Sequence, residues 1–309
     1  PISFVASANC GIYCGAKVDF VDINPNTYNI CVEELENKLI VSKKLDKLPK
    51  ILVAVHLAGQ SCDMKRIREL SKEYNFYVIE DASHALGAIY LKNIVGSCKY
   101  SDITIFSFHP VKMITTGEGG IATTNSTQID KKLKLIRTHG ITKNQNEFES
   151  SSKGKWFYEQ QILGFNFRMN DIEAALGISQ LKRLKDFLDK RNNIAKKYFE
   201  NLSDLPIKLP TISKFNYCSY HLYVIRVNND PDKDLRNKLF DYFRENNIFC
   251  NIHYIPIHFQ PFFKKFGFKR GDFPSAEKYY EEAISLPIYS KLKVDEQNYI
   301  IKKLSDFFK

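Results

Sequence analysis

Short apolar runs rich in β-formers alternate with segments of helical spacing through the first half of the chain. Each apolar run has the length of one strand, and the segments between the runs space their apolar residues as amphipathic helices do. This alternation predicts an α/β fold with a mostly parallel sheet and helical crossovers. The run at 51–55 is apolar throughout, as in a strand that a sheet buries on both faces. The predicted strands are residues 2–6, 18–21, 51–55, 76–79, 103–106 and 121–124, and the predicted helices are residues 9–16, 31–40, 64–74 and 131–137.

The second half of the chain predicts a smaller domain that follows a long helical connection. Residues 171–201 keep helical spacing over a length that indicates a bend, and residues 140–155 before them are polar and predict a loop. We therefore predict a large domain over residues 1–185 and a smaller C-terminal α+β domain over residues 186–309. The predicted strands of the smaller domain are residues 223–227 and 248–253, and its predicted helices are residues 233–246 and 294–308.

Composition excludes several classes of protein. Hydrophobic residues at 44% and charged residues at 26% are ordinary for a globular protein, and no apolar run reaches the roughly 18 residues of a membrane span. The seven cysteines form no Cys-x-x-Cys pair and have no histidine at zinc spacing, which predicts reduced thiols in a cytoplasmic protein without a metal site. The formal charge of +10 is spread along helices, so we expect no nucleic-acid or membrane partner but a surface that attracts an anionic substrate.

The stretch Ser107–Gly120 carries the strongest candidate chemistry and reads Ser-Phe-His-Pro-Val-Lys-Met-Ile-Thr-Thr-Gly-Glu-Gly-Gly. It follows a predicted strand, and open α/β sheets bind their ligands at strand ends. Pro110 and the glycines favour an irregular loop. A lysine that such a loop holds away from water loses proton affinity and becomes a nucleophile towards aldehydes. Lys112 is therefore a candidate catalytic residue, whereas most lysines followed by glycines are solvated loop residues.

The same stretch resembles, almost letter for letter, the lysine loop of the sugar-nucleotide aminotransferases of the DegT/DnrJ/EryC/StrS type. These are pyridoxal phosphate enzymes of fold type I. The resemblance implies that Lys112 forms a Schiff base with pyridoxal 5'-phosphate and that Ser107 binds the cofactor's phosphate. His109, beside the lysine, either contacts the substrate or packs.

A second segment, Glu80-Asp81-Ala82-Ser83-His84-Ala85, resembles the family's cofactor-ring segment. In the family its Asp binds the pyridine nitrogen and a His or Gln three residues later touches the ring hydroxyl, which implies these roles for Asp81 and His84. Asp81 also follows a predicted strand, and one crossover and one further strand separate it from Lys112. This spacing suits a carboxylate that keeps the ring nitrogen protonated. The residues alone leave two alternatives open: Asp81 as a cap or turn residue, and His84 as a half-buried structural histidine.

Two further segments resemble the family's substrate and subunit contacts. The string Gly164-Phe165-Asn166-Phe167-Arg168 resembles a segment whose asparagine reaches the neighbouring subunit's phosphate site, which implies a homodimer with shared sites and gives Asn166 that role. Spacing alone predicts only an aromatic-rich helix entry with Asn170 or Asp171 as cap. The string His253-Tyr254-Ile255-Pro256-Ile257-His258 resembles the segment that faces the substrate, so His253 is a candidate substrate-binding residue.

The sequences of the lysine loop and of the string Tyr-Glu-Gln-Gln-Ile-Leu-Gly look most like the pseudaminic acid branch of this family. That resemblance implies transfer of the amino group of glutamate to the C4 ketone of a UDP-4-keto-6-deoxy-N-acetylhexosamine. The product would be a UDP-4-amino sugar, a precursor of a nonulosonic acid on bacterial surface glycans.

The start of the chain keeps an alternative open. Family members carry an earlier segment with a Gly-Thr or Gly-Ser helix start whose backbone N–H groups grip the phosphate. Residues 1–30 contain no replacement, so we expect either a fragment or a short, N-terminally truncated, non-catalytic remnant that dimerises or binds a sugar nucleotide. A dehydratase of the same superfamily lacks the Schiff-base lysine, so Lys112 argues against it. A plain nucleotide-binding enzyme is disfavoured because no Gly-x-Gly-x-x-Gly or Walker motif is present.

Overall fold

The computed structural model describes residues 1–151, 154–228 and 234–309. Among these residues, none of the helices combines the length and apolar character that a membrane crossing requires. The strands are β1 (Ile51–Val55), β2 (Tyr77–Asp81), β3 (Ile89–Tyr90), β4 (Asn93–Ile94), β5 (Ile103–Ser107), β6 (Gly120–Thr123), β7 (Ile141–Thr142), β8 (Glu159–Gln160), β9 (Ile207–Lys208), β10 (Asn216–Tyr217), β11 (Tyr223–Val227) and β12 (Ala283–Leu286). The α-helices are α1 (Ala6–Tyr13), α2 (Val32–Lys44), α3 (Met64–Tyr74), α4 (Thr127–Ile136), α5 (Asp171–Leu181), α6 (Leu184–Leu202), α7 (Leu235–Glu245), α8 (Pro261–Lys264), α9 (Pro274–Glu282) and α10 (Val294–Phe307).

The main sheet has the strand order β1-β2-β5-β6, with β1, β2 and β5 parallel and β6 antiparallel to β5. Helix α3 connects β1 to β2 and buries Ile67 and Leu70 against the core, because its apolar residues recur at helical spacing. The side chain of Asp63 caps its first turn by accepting a hydrogen bond from the Arg66 N–H. The predicted α/β fold is confirmed, and the carboxyl ends of β1, β2 and β5 meet at one edge of the sheet.

The predictions for the first residues are wrong in part. Residues 2–6 and 18–21 form no strand, and the predicted helix lies earlier, at α1. Ile2 is buried in a hydrophobic cluster with Val224 and Tyr279 of the C-terminal half. Phe20 packs against the rings of Phe263, Phe268 and Phe273. These apolar side chains are therefore buried by tertiary packing rather than by a sheet. Ile51 of β1 is 53% exposed, so this strand is not buried on both faces as its apolar run predicted.

The C-terminal half contains a three-stranded antiparallel sheet in the order β12-β11-β9. Every residue of β11 is buried, and the surrounding core draws on residues 194–304. The predicted bend in the long helical segment is confirmed between α5 and α6, and α10 lies where predicted. The predicted strand at 248–253 is wrong, because only Asn251 makes a bridge, and β12 and α9 were not predicted.

Two further predictions include residues outside the described ranges. Helix α7 confirms most of the helix predicted from Lys233, although Lys233 itself lies outside the described residues. The segment predicted as a loop at 140–155 contains the short strand β7, and residues 152–153 within it are outside the described residues. The domain boundary predicted at residue 185 falls near the start of α6 and stays a prediction.

Candidate active site

Two neighbouring strand ends position the central residues of the site. Asp81 is the last residue of β2, and Ser107 is the last residue of the adjacent parallel strand β5. The backbone N–H of Ala82 donates to the Ile105 carbonyl across 2.8 Å, which extends the pairing of the two strands to their ends. Because parallel strands end at the same edge, the Asp81 carboxylate and the loop that follows Ser107 face one region, where α/β folds bind ligands.

A buried polar pair supports this strand end from behind. The ring Nε2 of His56 lies 2.7 Å from Oε2 of Glu80, the residue before Asp81, and both side chains are almost fully buried. Glu80 Oε1 accepts hydrogen bonds from the hydroxyls of Thr104 and Ser101 at 2.9 and 2.5 Å. The His56 backbone N–H donates to the Asp81 carbonyl across 3.0 Å. These contacts join β1, β2 and β5 and fix the backbone from which the Asp81 side chain projects.

Both carboxylate oxygens of Asp81 accept hydrogen bonds. Ser7 on α1 donates through its hydroxyl to Oδ2 at 2.6 Å, and Ser83 donates to Oδ1 through its hydroxyl at 2.6 Å and its backbone N–H at 3.1 Å. The Ser7 hydroxyl also lies 2.8 Å from that of Ser3. The carboxylate is thus held in one orientation by donors that stabilise its charge. Sequence reasoning missed Ser7, because it lies 74 residues from its partner.

The lysine loop is folded tightly on itself. The Phe108 N–H donates to the Gly119 carbonyl, and the Thr116 N–H donates to the Phe108 carbonyl, at 2.9 and 3.0 Å. Gly119 has φ +143°, and a β-carbon at this position would lie 2.6 Å from Oγ1 of Thr116. Only glycine therefore fits the turn that returns the chain to β6.

Lys112 lies within this loop as a partly buried amine. Among the residues that the structure describes, no side chain forms a hydrogen bond or ion pair with its ammonium group. Burial lowers the pKa of Lys112, and the charge of the Asp81 carboxylate opposes that shift. The two predicted residues therefore interact electrostatically. Partial desolvation raises the fraction of neutral amine, which is the nucleophilic form.

Three histidines interact electrostatically with the lysine, and their lowered pKa values leave them neutral at pH 7. Burial lowers the pKa of His84 well below its usual value, with further lowering by Lys112 and His253. Burial and then Lys112 lower the pKa of His253 to about 4, and its Nδ1 lies 2.8 Å from the hydroxyl of Ser285. The ring of His221 packs against that of His84 at a tilt of 36°, with centroids 4.4 Å apart, and its pKa is also lowered by burial. Sequence reasoning missed His221, since no motif or spacing singled it out.

Two predicted residues lie at the surface. His109 is exposed, and its backbone N–H approaches the Ser107 hydroxyl at 3.4 Å. Asn166 is exposed and forms an isolated antiparallel β-bridge with Thr138. It lies in a segment of exposed apolar side chains. Asn170 caps α5 and forms a capping box with Glu173, which confirms the predicted cap. The roles assigned to His109 and Asn166 stay predictions.

The donors and acceptors of this site fit pyridoxal phosphate. The cofactor needs an amine for covalent attachment, an acid at the pyridine nitrogen and donors for its oxygens, and Lys112, Asp81 and Ser107 have the chemistry that would supply these groups. The Nδ1 atoms of His84 and His221 are buried and have no hydrogen-bond partner among the described residues. Such orphaned atoms are rare in folded proteins, and a bound polar ring would satisfy them.

Comparison with known proteins places the chain in a family. Residues 1–305 match the model of the DegT/DnrJ/EryC1/StrS aminotransferase family. The chain is 36% identical over 301 residues to a UDP-4-amino-4,6-dideoxy-N-acetyl-beta-L-altrosamine transaminase of Campylobacter jejuni, covering 97% of this chain and 76% of the relative.

Two solved structures are similar along almost the whole chain. Helicobacter pylori PseC, an aminotransferase involved in the biosynthesis of pseudaminic acid, has a TM-score of 0.87 and 31% identity, covering 100% of this chain and 78% of PseC. A Streptococcus pneumoniae protein assigned as a sugar aminotransferase, solved in its PLP form, has a TM-score of 0.86 and 28% identity, covering 99% of this chain and 79% of that protein. The chain therefore belongs to the DegT/DnrJ/EryC1/StrS family and is a pyridoxal phosphate-dependent sugar aminotransferase of fold type I.

Proposed function

We propose that this enzyme transfers the amino group of glutamate to C4 of a UDP-4-keto-6-deoxy-N-acetylhexosamine, giving a UDP-4-amino sugar for pseudaminic acid biosynthesis. The observation that supports the proposal is the electrostatic interaction of Asp81, at the end of β2, with Lys112 in the loop after the neighbouring strand β5. The choice of substrate is supported by the likeness to the C. jejuni transaminase and to H. pylori PseC. We also propose the division into residues 1–185 and 186–309, and a cytoplasmic location, which suits seven unpaired cysteines.

Lys112 has two tasks in this proposal. Its amine would hold the cofactor covalently until the amino donor arrives. It would then move a proton from the amino-bearing carbon of glutamate to the cofactor carbon and, in the second half of the cycle, from that cofactor carbon to C4 of the sugar. When bound, pyridoxal phosphate supplies the electron sink that makes the C–H of the amino-bearing carbon of glutamate acidic. The burial that lowers the pKa of Lys112 favours the neutral amine that accepts a proton.

The groups around Lys112 orient the cofactor. The Asp81 carboxylate, held by Ser7 and Ser83, would keep the pyridine nitrogen protonated. A protonated ring withdraws electrons more strongly, so this carboxylate sets the strength of the sink. His84 would bind the ring hydroxyl, and the Ser107 hydroxyl at the end of β5 would donate to the phosphate.

We further propose a homodimer in which Asn166 reaches the phosphate of the neighbouring site. The segment around it exposes large apolar side chains, with Leu163 at 85% and Phe167 at 69%. Contiguous exposed apolar surface of this kind marks a protein–protein contact. The proposed substrate contacts are His253, whose pKa Lys112 lowers, and the exposed His109.

The direct test follows 2-oxoglutarate release from glutamate with the UDP-4-keto sugar and added pyridoxal phosphate. We expect turnover in the wild type, loss of turnover in Lys112→Ala, and none of this loss in Lys185→Ala, whose side chain is 89% exposed. A wild type that binds the sugar nucleotide without releasing 2-oxoglutarate would support the rival reading of a non-catalytic remnant.

A further inference from the structure

His84 is held by residues from the C-terminal half of the chain. Its ring Nε2 lies 3.1 Å from the hydroxyl of Tyr254, and its backbone carbonyl accepts a hydrogen bond of 2.9 Å from the Ser219 hydroxyl. The His221 ring packs on one side of it, and His84 is only 5% exposed. These contacts fix both the orientation of the imidazole and the partner of one of its two nitrogens.

The other nitrogen of His84, Nδ1, is buried without a hydrogen-bond partner among residues 1–151, 154–228 and 234–309. A buried polar atom left unpaired is costly, and native proteins retain one mainly where a ligand, ion or water completes it. Lys112 and His253 both act electrostatically on this ring, so His84 borders the cofactor site. Nδ1 is therefore the His84 atom that remains available to a ligand.

The direction of the Tyr254–His84 hydrogen bond follows from elementary chemistry. Burial and then the Asp81 charge raise the pKa of Tyr254 to about 12, so its phenol stays protonated. His84 is neutral at pH 7, because burial lowers its pKa. An imidazole nitrogen is a stronger base than a phenol oxygen, and a phenol O–H is the better donor of the two, so the hydroxyl donates to Nε2. The single ring proton then lies on Nδ1.

We propose that Tyr254 is a positioning residue that fixes His84 in the Nδ1–H tautomer. In this tautomer Nδ1 donates a hydrogen bond to the hydroxyl oxygen on the ring of the bound pyridoxal phosphate. This inference rests on the function proposed above, which assigns His84 to the ring hydroxyl. It adds a link from the C-terminal segment to the cofactor. Residue 254 then affects the cofactor without touching the reacting atoms.

The test reads the tautomer directly by ¹⁵N NMR of histidine-labelled protein, with the His84 signals assigned by their loss in His84→Gln. In the cofactor-free wild type we expect a protonated Nδ1 and an unprotonated Nε2. In Tyr254→Phe, loss of one hydrogen bond shifts the tautomer ratio about fivefold towards Nε2–H. Pyridoxal phosphate should shift the Nδ1 signal of the wild type, and its Kd should rise about three- to tenfold in Tyr254→Phe.

Tyr198→Phe is the matched control, because it also removes a buried tyrosine hydroxyl, one that donates to the Pro287 carbonyl across 2.9 Å. It should leave the His84 signals and the Kd for the cofactor unchanged. A wild type with its His84 proton on Nε2, or an unchanged ratio in Tyr254→Phe, would overturn the inference. The tautomer is read without cofactor, whereas a wild type that leaves the absorbance spectrum of added pyridoxal phosphate unchanged would instead overturn the proposed function.

Discussion

Replacing Asp81 by asparagine separates the electronic role of this residue from its structural role. The substitution keeps the shape of the side chain and removes its charge. Ser83 can still donate twice to the remaining oxygen. On the other side, the Ser7 hydroxyl can accept from the new amide and donate to Ser3, which lies 2.8 Å away. The hydrogen-bond network therefore survives by reversal, and we expect the free energy of unfolding to change by less than about 1 kcal/mol.

The cost should appear in catalysis. A hydrogen bond to a charged partner contributes about 1.5–3 kcal/mol, and the pyridine nitrogen loses such a partner in Asp81→Asn. At about 1.4 kcal/mol for each factor of ten, this corresponds to a fall in kcat of about 10- to 150-fold. The variant should also lower the pKa of Lys112 in the cofactor-free protein, because the carboxylate that raises it is gone.

Three measurements on Asp81→Asn test this reasoning: denaturant unfolding, the rate of 2-oxoglutarate release, and the pH dependence of lysine labelling at position 112. Ser83→Ala is a useful comparison, since it keeps the charge and removes one donor. Turnover within about threefold of the wild type in a folded Asp81→Asn would refute the role of the carboxylate in activating the ring.

Further predictions concern stability, pH and assembly. Lys112→Met should stabilise the cofactor-free protein more at pH 7 than at pH 10. Burial lowers the pKa of Lys112 in the folded state, so the stability of the wild type rises with pH between the folded pKa and the unfolded pKa of 10.5. Urea unfolding at both pH values measures the difference. Glu282→Gln should lower the free energy of unfolding by about 3–5 kcal/mol, since it leaves buried Arg226 without its charged partner, whereas Asp186→Asn on the surface should cost under about 1 kcal/mol in the same assay. Mixing inactive Lys112→Ala and Asn166→Ala chains should restore about a quarter of wild-type turnover, because half of the dimers then hold one intact site.

Each of these has a clear contrary result. An equal effect of Lys112→Met at both pH values would show that burial does not perturb this amine. A Glu282→Gln cost no larger than that of Asp186→Asn would contradict the buried ion pair. Failure of the mixed chains to recover activity, while each parent dimer still exchanges subunits, would contradict shared active sites.

Local patterns in the sequence were sufficient to predict the strands that precede the candidate site. Asp81 ends β2, and the loop that carries Lys112 follows the adjacent strand β5, so parallel pairing brings that strand end and that loop to one edge of the sheet. Helix α3 was predicted to the residue, because its apolar stripe and its Asp63 cap agree. These features depend on neighbours in the chain, which a sequence displays directly.

The features that were missed depend on contacts between distant residues. Tyr254 meets His84 across 170 positions, and Ser7 meets Asp81 across 74, so no spacing rule singles them out. Residues near Ile2 have the composition of a strand, but their apolar side chains pack against the C-terminal half instead of a sheet. Tertiary packing overrides local preference at such places.

The most direct test of the account is the identity of the lysine that holds the cofactor. Protein incubated with pyridoxal phosphate is treated with borohydride, which makes the attachment permanent, and is then digested and examined by mass spectrometry. The account predicts one phosphopyridoxyl group, on the peptide that contains Lys112, and none on Lys112→Ala. A modified lysine elsewhere, or no modification in the wild type, would contradict it.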